Sequence, residues 1–286
     1  MIRYINIDLD GTLLKEHYII SDENIKAIKY AADKGVTICV NTGRNAASAL
    51  YFSQKANMNG PVICCGGGLI LDSGKKGMPK DIISEIRSRE VLLEKTLPES
   101  LLKSAIETGK KTELSFYAQC KDAYYIIGED ERNRFMYNWD ERAISIIDMG
   151  LKKLKSYDEF LEVAVGRAIK IGFSTLDKDR LLEIQKEYAN HTDCNSTLAL
   201  GRILELTPKG VNKGTAVEFM REHFGFSKDE TACIGDDTND IAMFQACGKS
   251  LAIANGCKEA IDAANSTVNT CEDNGVAEGI YRLIEK

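Results

Sequence analysis

The sequence predicts an α/β protein: a doubly wound core on a parallel sheet, with a second α+β unit inserted into it. Three observations carry this expectation. Short β-branched runs alternate with helical patterns at both ends of the chain, the rhythm of βαβ units. The stretch between them loses that rhythm and contains a hairpin pattern. The length of 286 residues, set against roughly 150 per domain, asks for about two domains and a sizeable core.

Taken in order, Tyr4 to Ile7 is a short, mostly apolar run that soon meets Asp-Gly, and reads as a first strand. Ser21 to Asn24 is a helix-start cluster, Ile25, Ile28 and Ala32 follow at helical spacing, and Gly35 closes that helix. Val36 to Val40 and Pro61 to Cys65 are too short for helices and are bounded by turn residues, so they read as strands. The carboxy-terminal part repeats the alternation: helix Gly214 to Phe224, strand Thr231 to Ile234, helix Ile241 to Cys247, strand Leu251 to Ala254, helix Lys258 to Ala264, and a last helix from Val276. Between them the helices are longer and charged, and strand-like pieces at Leu114 to Tyr117, Ala123 to Ile127, Ala168 to Phe173 and Ile203 to Thr207 come in mixed order. Leu198 to Leu206 reads as an antiparallel hairpin with Gly201-Arg202 at its turn. The expected division is therefore residues 1–82 with 209–286 as the core and 83–208 as the insert, with junctions near Pro79-Lys80 and Pro208-Lys209-Gly210.

Composition narrows the function. With 44% apolar and 28% charged residues the chain fits neither wholesale disorder nor a fibre. A net charge of −6 and a pI near 5.3 argue against a partner whose phosphates must be neutralised in number, so no nucleic acid is expected, while a local basic pocket for one small anion stays open. Asp8 interrupts the opening apolar run before a signal peptide or a membrane span could form; a cytoplasmic protein with no membrane partner, a monomer or small homo-oligomer, is expected. Nine cysteines without a C-x-x-C pair or zinc spacing read as buried reduced thiols, and His17, His191 and His223, scattered singly, as surface or packing residues.

Four stretches carry chemistry. In Asp8-Leu9-Asp10-Gly11-Thr12 two carboxylates one residue apart project the same way from the end of a strand, where open α/β sheets bind ligands. Two close negative charges call for a cation, and hard oxygen ligands suit Mg²⁺; the same residues also suit a plain strand terminus with an Asp-Gly turn. In Gly235-Asp236-Asp237-Thr238-Asn239-Asp240, after another strand, there is more acid than a helix cap needs. Asp236 and Asp240 share a helical face, so that one can ligate a cation and the other orient a ligand or a metal-bound water. In Asn41-Thr42-Gly43-Arg44 a hydroxyl and an unshielded glycine amide can donate to phosphate, though many Thr-Gly turns bind nothing. Lys213, at the start of a helix, is misplaced for stability, which points to an anion or carboxylate partner or to a solvated surface position.

Together the four stretches resemble the haloacid dehalogenase (HAD) superfamily of phosphotransferases, and the insert, Leu13-Leu14 and Gly210-Val211-Asn212-Lys213-Gly214 resemble its Cof-like branch with a large α/β cap, type IIB. The resemblance spans the whole chain and implies a HAD-like, Rossmann-type core and a phosphatase of small phosphorylated metabolites, mostly sugar phosphates. It implies Asp8 as nucleophile forming an aspartyl phosphate, and Asp10 as the acid and base. Mg²⁺ would be held by the Asp8 carboxylate, the Asp10 backbone carbonyl and Asp236, with Asp240 and Asn239 supporting this shell and the phosphate. Thr42, the Gly43 amide and Lys213 would take up phosphate charge, and the insert would act as a lid. Arg44 is a further candidate at the cleft mouth, an exposed salt bridge being the alternative. Where that branch often has Asn-Gly-Ala, this chain has Gly66-Gly67-Gly68, so Gly67 reads either as a substrate contact through its amide or as part of a tight turn. The aromatics Phe116, Tyr117, Tyr124, Tyr125 and Trp139 either stack on a substrate ring or pack in the insert. A phosphomutase would share the Asp8 chemistry but return an isomer, and a non-catalytic phosphometabolite-binding regulator would have no need of both Asp8 and Asp10.

Overall fold

The computed structural model describes residues 1–74, 77–127, 145–146, 150–199 and 202–285. The core sheet has eight strands. Strands β1 (Tyr4–Ile7), β2 (Thr37–Asn41) and β3 (Val62–Cys64) run outward in one direction from the centre. On the other side of β1 follow β12 (Thr231–Gly235), β13 (Lys249–Ile253) and β14 (Ser266–Val268), and all six are parallel. Beyond β3 the sheet continues with β4 (Leu69–Leu71) and β5 (Val91–Glu94), both antiparallel to their neighbours.

Alternation along the strands builds two cores. Ile5, Ile7, Ile38 and Val40 face helices α1 (Asp22–Asp33), α2 (Ala46–Lys55) and α10 (Gly275–Ile284). Tyr4, Cys39 and Ile63 face α7 (Lys213–Phe224), α8 (Ile241–Ala246) and α9 (Lys258–Ala263). Local chemistry sets the helix starts. Ser21 accepts from the Asn24 amide to cap α1, Asn45 accepts from the Ser48 amide to cap α2, and Asn212 with Thr215 forms a capping box on α7.

The expected boundary at 82/83 falls too early. Helix α3 (Ile82–Ser88) packs on α2, and β5 joins the core sheet, so the first sheet takes chain as far as Glu94. β5 is a half-exposed edge strand whose short apolar run, Val91 to Leu93, is bounded by Glu90 and Glu94.

The inserted sheet has six strands in the order β10 (Cys194–Ala199), β11 (Ile203–Pro208), β9 (Lys170–Ser174), β6 (Ser115–Gln119), β7 (Tyr124–Ile127) and β8 (Leu151–Lys153). All pairs are antiparallel except β7 with β8, and β10–β11 is the expected hairpin, although Gly201 of its turn lies outside the described residues. Helices α4 (Glu99–Thr112), α5 (Tyr157–Ala164) and α6 (Lys178–Tyr188) cover one face of this sheet. There Phe116 meets Phe160 and Phe173 at ring-centroid distances of 4.8 and 5.0 Å, and Tyr125 joins them, so these aromatics are packing residues. Tyr117 and Tyr124 lie on the opposite face, in edge contact with each other. Trp139 lies outside the described residues. All nine cysteines are free thiols, and only Cys257 is not buried. Among the described residues no helix is long and apolar enough to cross a membrane.

Candidate active site

The chain leaves β1 toward β2 and β3 but returns through β12 toward β13 and β14, so the strand order reverses between β1 and β12. Crevices at the carboxyl ends of two such strands are where open α/β sheets receive ligands. The pairing of Ile7 with Ile234 is extended by the Asp8 amide, which donates to the Ile234 carbonyl at 3.0 Å. Asp8 therefore leaves its strand level with the end of β12, and Asp236 follows that strand directly.

Lys213 crosses the same point. Its Nζ donates to Asp8 Oδ1 at 2.6 Å and to Asp240 Oδ1 at 2.7 Å, and the residue is only 2% exposed. The misplaced cation at the helix start thus faces inward onto two carboxylates. Asn41, at the end of β2, donates through Nδ2 to the Lys213 backbone carbonyl at 3.1 Å and fixes where α7 begins. Asp240 is fully buried; its second oxygen accepts from the amides of Asp236 and Asp237 at 3.0 and 3.1 Å. Thr12 Oγ1 donates to Asp236 Oδ1 at 2.6 Å.

Carboxylate oxygens of Asp8, Asp236 and Asp240 lie within 4.8 Å of one another. Burial, followed by the charge of Asp240, pushes Asp236 up to about 7. Burial also raises the Asp8 carboxyl, and Asp240 and Asp236 add to that effect while Lys213 opposes it. Burial alone would lower the Lys213 ammonium, but Asp240 and Asp8 outweigh it and hold its pKa above the ordinary lysine value. One lysine does not balance this acid. An all-oxygen donor set with uncompensated negative charge fits a hard dication such as Mg²⁺. Asp8 and Asp236 suit its ligation; Asp240, with both oxygens already accepting hydrogen bonds, suits holding Lys213 and the turn in place.

The Asp10 side chain turns away from this cluster. Arg44 Nε donates to Asp10 Oδ2 at 2.7 Å and Arg44 Nη2 donates to Oδ1, a bidentate pair, while His17 Nδ1 lies 3.0 Å from Oδ1. Burial would raise the Asp10 carboxyl, yet the Arg44 guanidinium outweighs it and holds the group well below the usual carboxylate range. Arg44 is buried rather than exposed at a cleft mouth, and it also donates to Ser48 Oγ at 3.1 Å and to the His17 carbonyl at 2.7 Å. His17, expected as a surface or packing residue, is instead part of the Asp10 environment.

Thr42 is buried, and its Oγ1 accepts from the Arg44 amide at 3.2 Å. The amides of Asp10 and Gly43 find no acceptor among the described residues. Two expected contributors stand apart. Asn239 is exposed on the turn Thr238–Asp240 and makes none of the site's hydrogen bonds. Gly67 is buried with φ at +96°, and a methyl there would overlap the Asn212 carbonyl oxygen; its role is to let the turn Cys65–Gly67 approach the start of α7.

Sequence reasoning did not single out Thr12, His17 and Asn41 as site residues, because their partners Asp236, Arg44 and Lys213 are distant in the chain and His17 itself lies in an irregular loop.

A family model described as haloacid dehalogenase-like hydrolase matches residues 5–280. The chain is 26% identical over 287 residues to the Bacillus subtilis 5-amino-6-(5-phospho-D-ribitylamino)uracil phosphatase YwtE, covering 98% of this chain and 97% of that one. Among solved structures, a haloacid dehalogenase-like hydrolase from B. subtilis superposes with a TM-score of 0.84 at 21% identity, over 99% of this chain and 100% of the other. The HAD subclass IIB sugar phosphatase BT4131 does so with 0.80 at 18% identity, over 98% of each chain. The two structures share the fold, insert included, and a family match running from the first strand into the last helix decides membership: this chain belongs to the haloacid dehalogenase-like hydrolases.

Proposed function

We propose that the protein is a Mg²⁺-dependent phosphatase that hydrolyses small phosphomonoesters, sugar phosphates and related metabolites, through an aspartyl-phosphate intermediate. The observation that carries this reading is the pairing of Asp8 with buried Lys213 at the strand-order reversal, with Asp236 and Asp240 close by and Asp10 held separately by Arg44. The named relatives support it, since one is a phosphatase of a ribitylamino-uracil phosphate and another a sugar phosphatase.

Lys213 opposes the rise that burial and the neighbouring carboxylates give the Asp8 carboxyl, favouring the ionised form that a nucleophile requires, and draws its Oδ1 to one side so that the other oxygen faces the incoming phosphorus. Asp8, Asp236 and the Asp10 carbonyl would hold Mg²⁺, which supplies neutralisation of phosphate charge next to the nucleophile. The Thr42 hydroxyl and the amides of Gly43 and Asp10 donate to the remaining phosphate oxygens. Asp10 protonates the leaving alcohol and then takes a proton from the attacking water. Arg44 keeps it anionic in the absence of substrate, and the approach of a phosphate dianion raises its pKa toward the protonated form that the first step needs. The inserted unit closes over the site and excludes water during that step.

Release of inorganic phosphate from a panel of sugar phosphates, nucleotides and pyridoxal phosphate, with and without Mg²⁺, tests the assignment. Asp8→Asn keeps an acceptor for Lys213 and should fold normally while losing about a thousandfold or more of the activity. Retention of most of the activity would sink Asp8 as nucleophile, and a panel with no turnover would favour a phosphometabolite-binding protein.

A further inference from the structure

A lysine of the inserted sheet reaches across to the core. Lys170, in β9, is 1% exposed, and its Nζ donates to the Gly43 carbonyl and to Glu205 Oε1, both at 2.6 Å. Glu205 also accepts from the Tyr117 hydroxyl at 2.9 Å. The register explains the arrangement. Gly172 pairs with Tyr117 on one side and with Glu205 on the other, so the three share a face, and Lys170, two residues along, shares it too. A Cβ at Gly172 would lie 2.5 Å from Tyr117 Cε1; its absence lets the ring lie across β9 and reach Glu205.

An ammonium buried in this way needs a partner charge, which Glu205 supplies. The second bond goes further, because the Gly43 carbonyl belongs to the peptide between Gly43 and Arg44. The N–H of that same peptide donates to Thr42 Oγ1 at 3.2 Å. A hydroxyl that accepts there directs its own proton elsewhere. Arg44, next in the chain, holds Asp10. A single peptide plane therefore connects Lys170 to the Thr42 hydroxyl and the Arg44 side chain.

We propose that Lys170 is a positioning residue that couples the seating of the cap to the phosphate loop: its ammonium fixes the peptide between Gly43 and Arg44 and so orients the Thr42 hydroxyl to receive phosphate. The inference rests on Thr42 being a phosphate ligand. The loop is complete only while the cap is down.

The test compares Lys170→Met with the parent protein, using p-nitrophenyl phosphate and acetyl phosphate as substrates of unlike leaving group and inorganic phosphate as a probe of the loop. Loss of a charge-assisted bond should lower kcat about tenfold or more, by the same factor for both substrates, and weaken inorganic phosphate at least as much by calorimetric titration with Mg²⁺ present. Lys170→Arg, which keeps the charge and donors, should recover part of both. Lys170→Gln, which keeps a donor, serves if the Met variant unfolds and should give an intermediate loss. A loss confined to one substrate, with phosphate binding unchanged, would make Lys170 a leaving-group contact and overturn the proposal. If the parent binds phosphate but hydrolyses nothing, while Lys170→Met binds it more weakly, the phosphatase reading fails and this one stands. If the parent hydrolyses and Lys170→Met binds phosphate equally well, this one fails alone.

Discussion

Removal of divalent cations should make the stability of this protein fall as pH rises, opposite to the usual behaviour of a protein rich in paired carboxylates. The carrier is Asp236, pushed up to about 7 by burial and by Asp240. An aspartate of an unfolded chain titrates near pH 4. Between those values the folded protein keeps a proton that the unfolded chain has released, so the folded state is favoured below the window and loses that advantage as pH climbs through about 7. For one group shifted this far, the loss between about pH 5.5 and about pH 8 is on the order of 2 kcal/mol, and the raised Asp8 carboxyl steepens it. Asp10 leaves the window untouched. Its carboxyl is held low by Arg44 against burial, so the stability it contributes is present above the unfolded value and is lost only in stronger acid. Urea unfolding across this pH range, in chelator and again in millimolar Mg²⁺, measures the effect. The slope should be present in chelator, absent or reversed with Mg²⁺, and much reduced in Asp236→Asn. A chelated protein as stable at the alkaline end as at the acid end, or an unchanged slope in Asp236→Asn, would refute the assignment of uncompensated charge to this cluster.

Lys213→Met should cost about 3 to 5 kcal/mol in urea unfolding, because it strands Asp8 and Asp240 in a buried site, and it should abolish turnover; a loss under about 1 kcal/mol would contradict the pairing. Alkylation of the native protein should label Cys257 alone, and slowly, since its thiol is raised by burial. The other eight are buried, with Cys120 and Cys271 pushed up to about 12, chiefly by burial. Rapid modification of two or more thiols, counted by mass spectrometry, would show an opening that the packing does not allow.

The chemistry was legible where it is local. Asp8 and Asp236 stand directly after β1 and β12, whose β-branched runs announce themselves by period and by the turn residues that follow. Lys213 was legible through an electrostatic misfit, and the structure resolves that misfit by turning the side chain onto Asp8 and Asp240. What escaped has no local period. β5 is a sheet-edge strand with charged neighbours, and β14 has three residues. The bond from Lys170 to Gly43 spans 127 residues, and nothing near either end specifies the other. At Gly67 the tight-turn alternative has a physical reason, since backbone packing against Asn212 calls for a glycine there. Asn239 entered through the family resemblance, and the tight turn Thr238–Asp240 leaves it exposed.

The pairing of β1 with β12 also has a consequence in time. Tyr4 sits beside Thr231, and Asp8 is separated from its partner Lys213 by 205 residues. At roughly 5 to 20 residues per second of synthesis, Asp8 waits on the order of 10 to 40 s for that lysine to be made. At the end of that interval the insert's last strands, β10 and β11, have just been made, while the core has five of its eight strands, β1 to β5. Asp236 and Asp240 come later still, so a nascent chain cannot assemble the acidic cluster, and the ability to gather a cation there marks a core sheet that has closed.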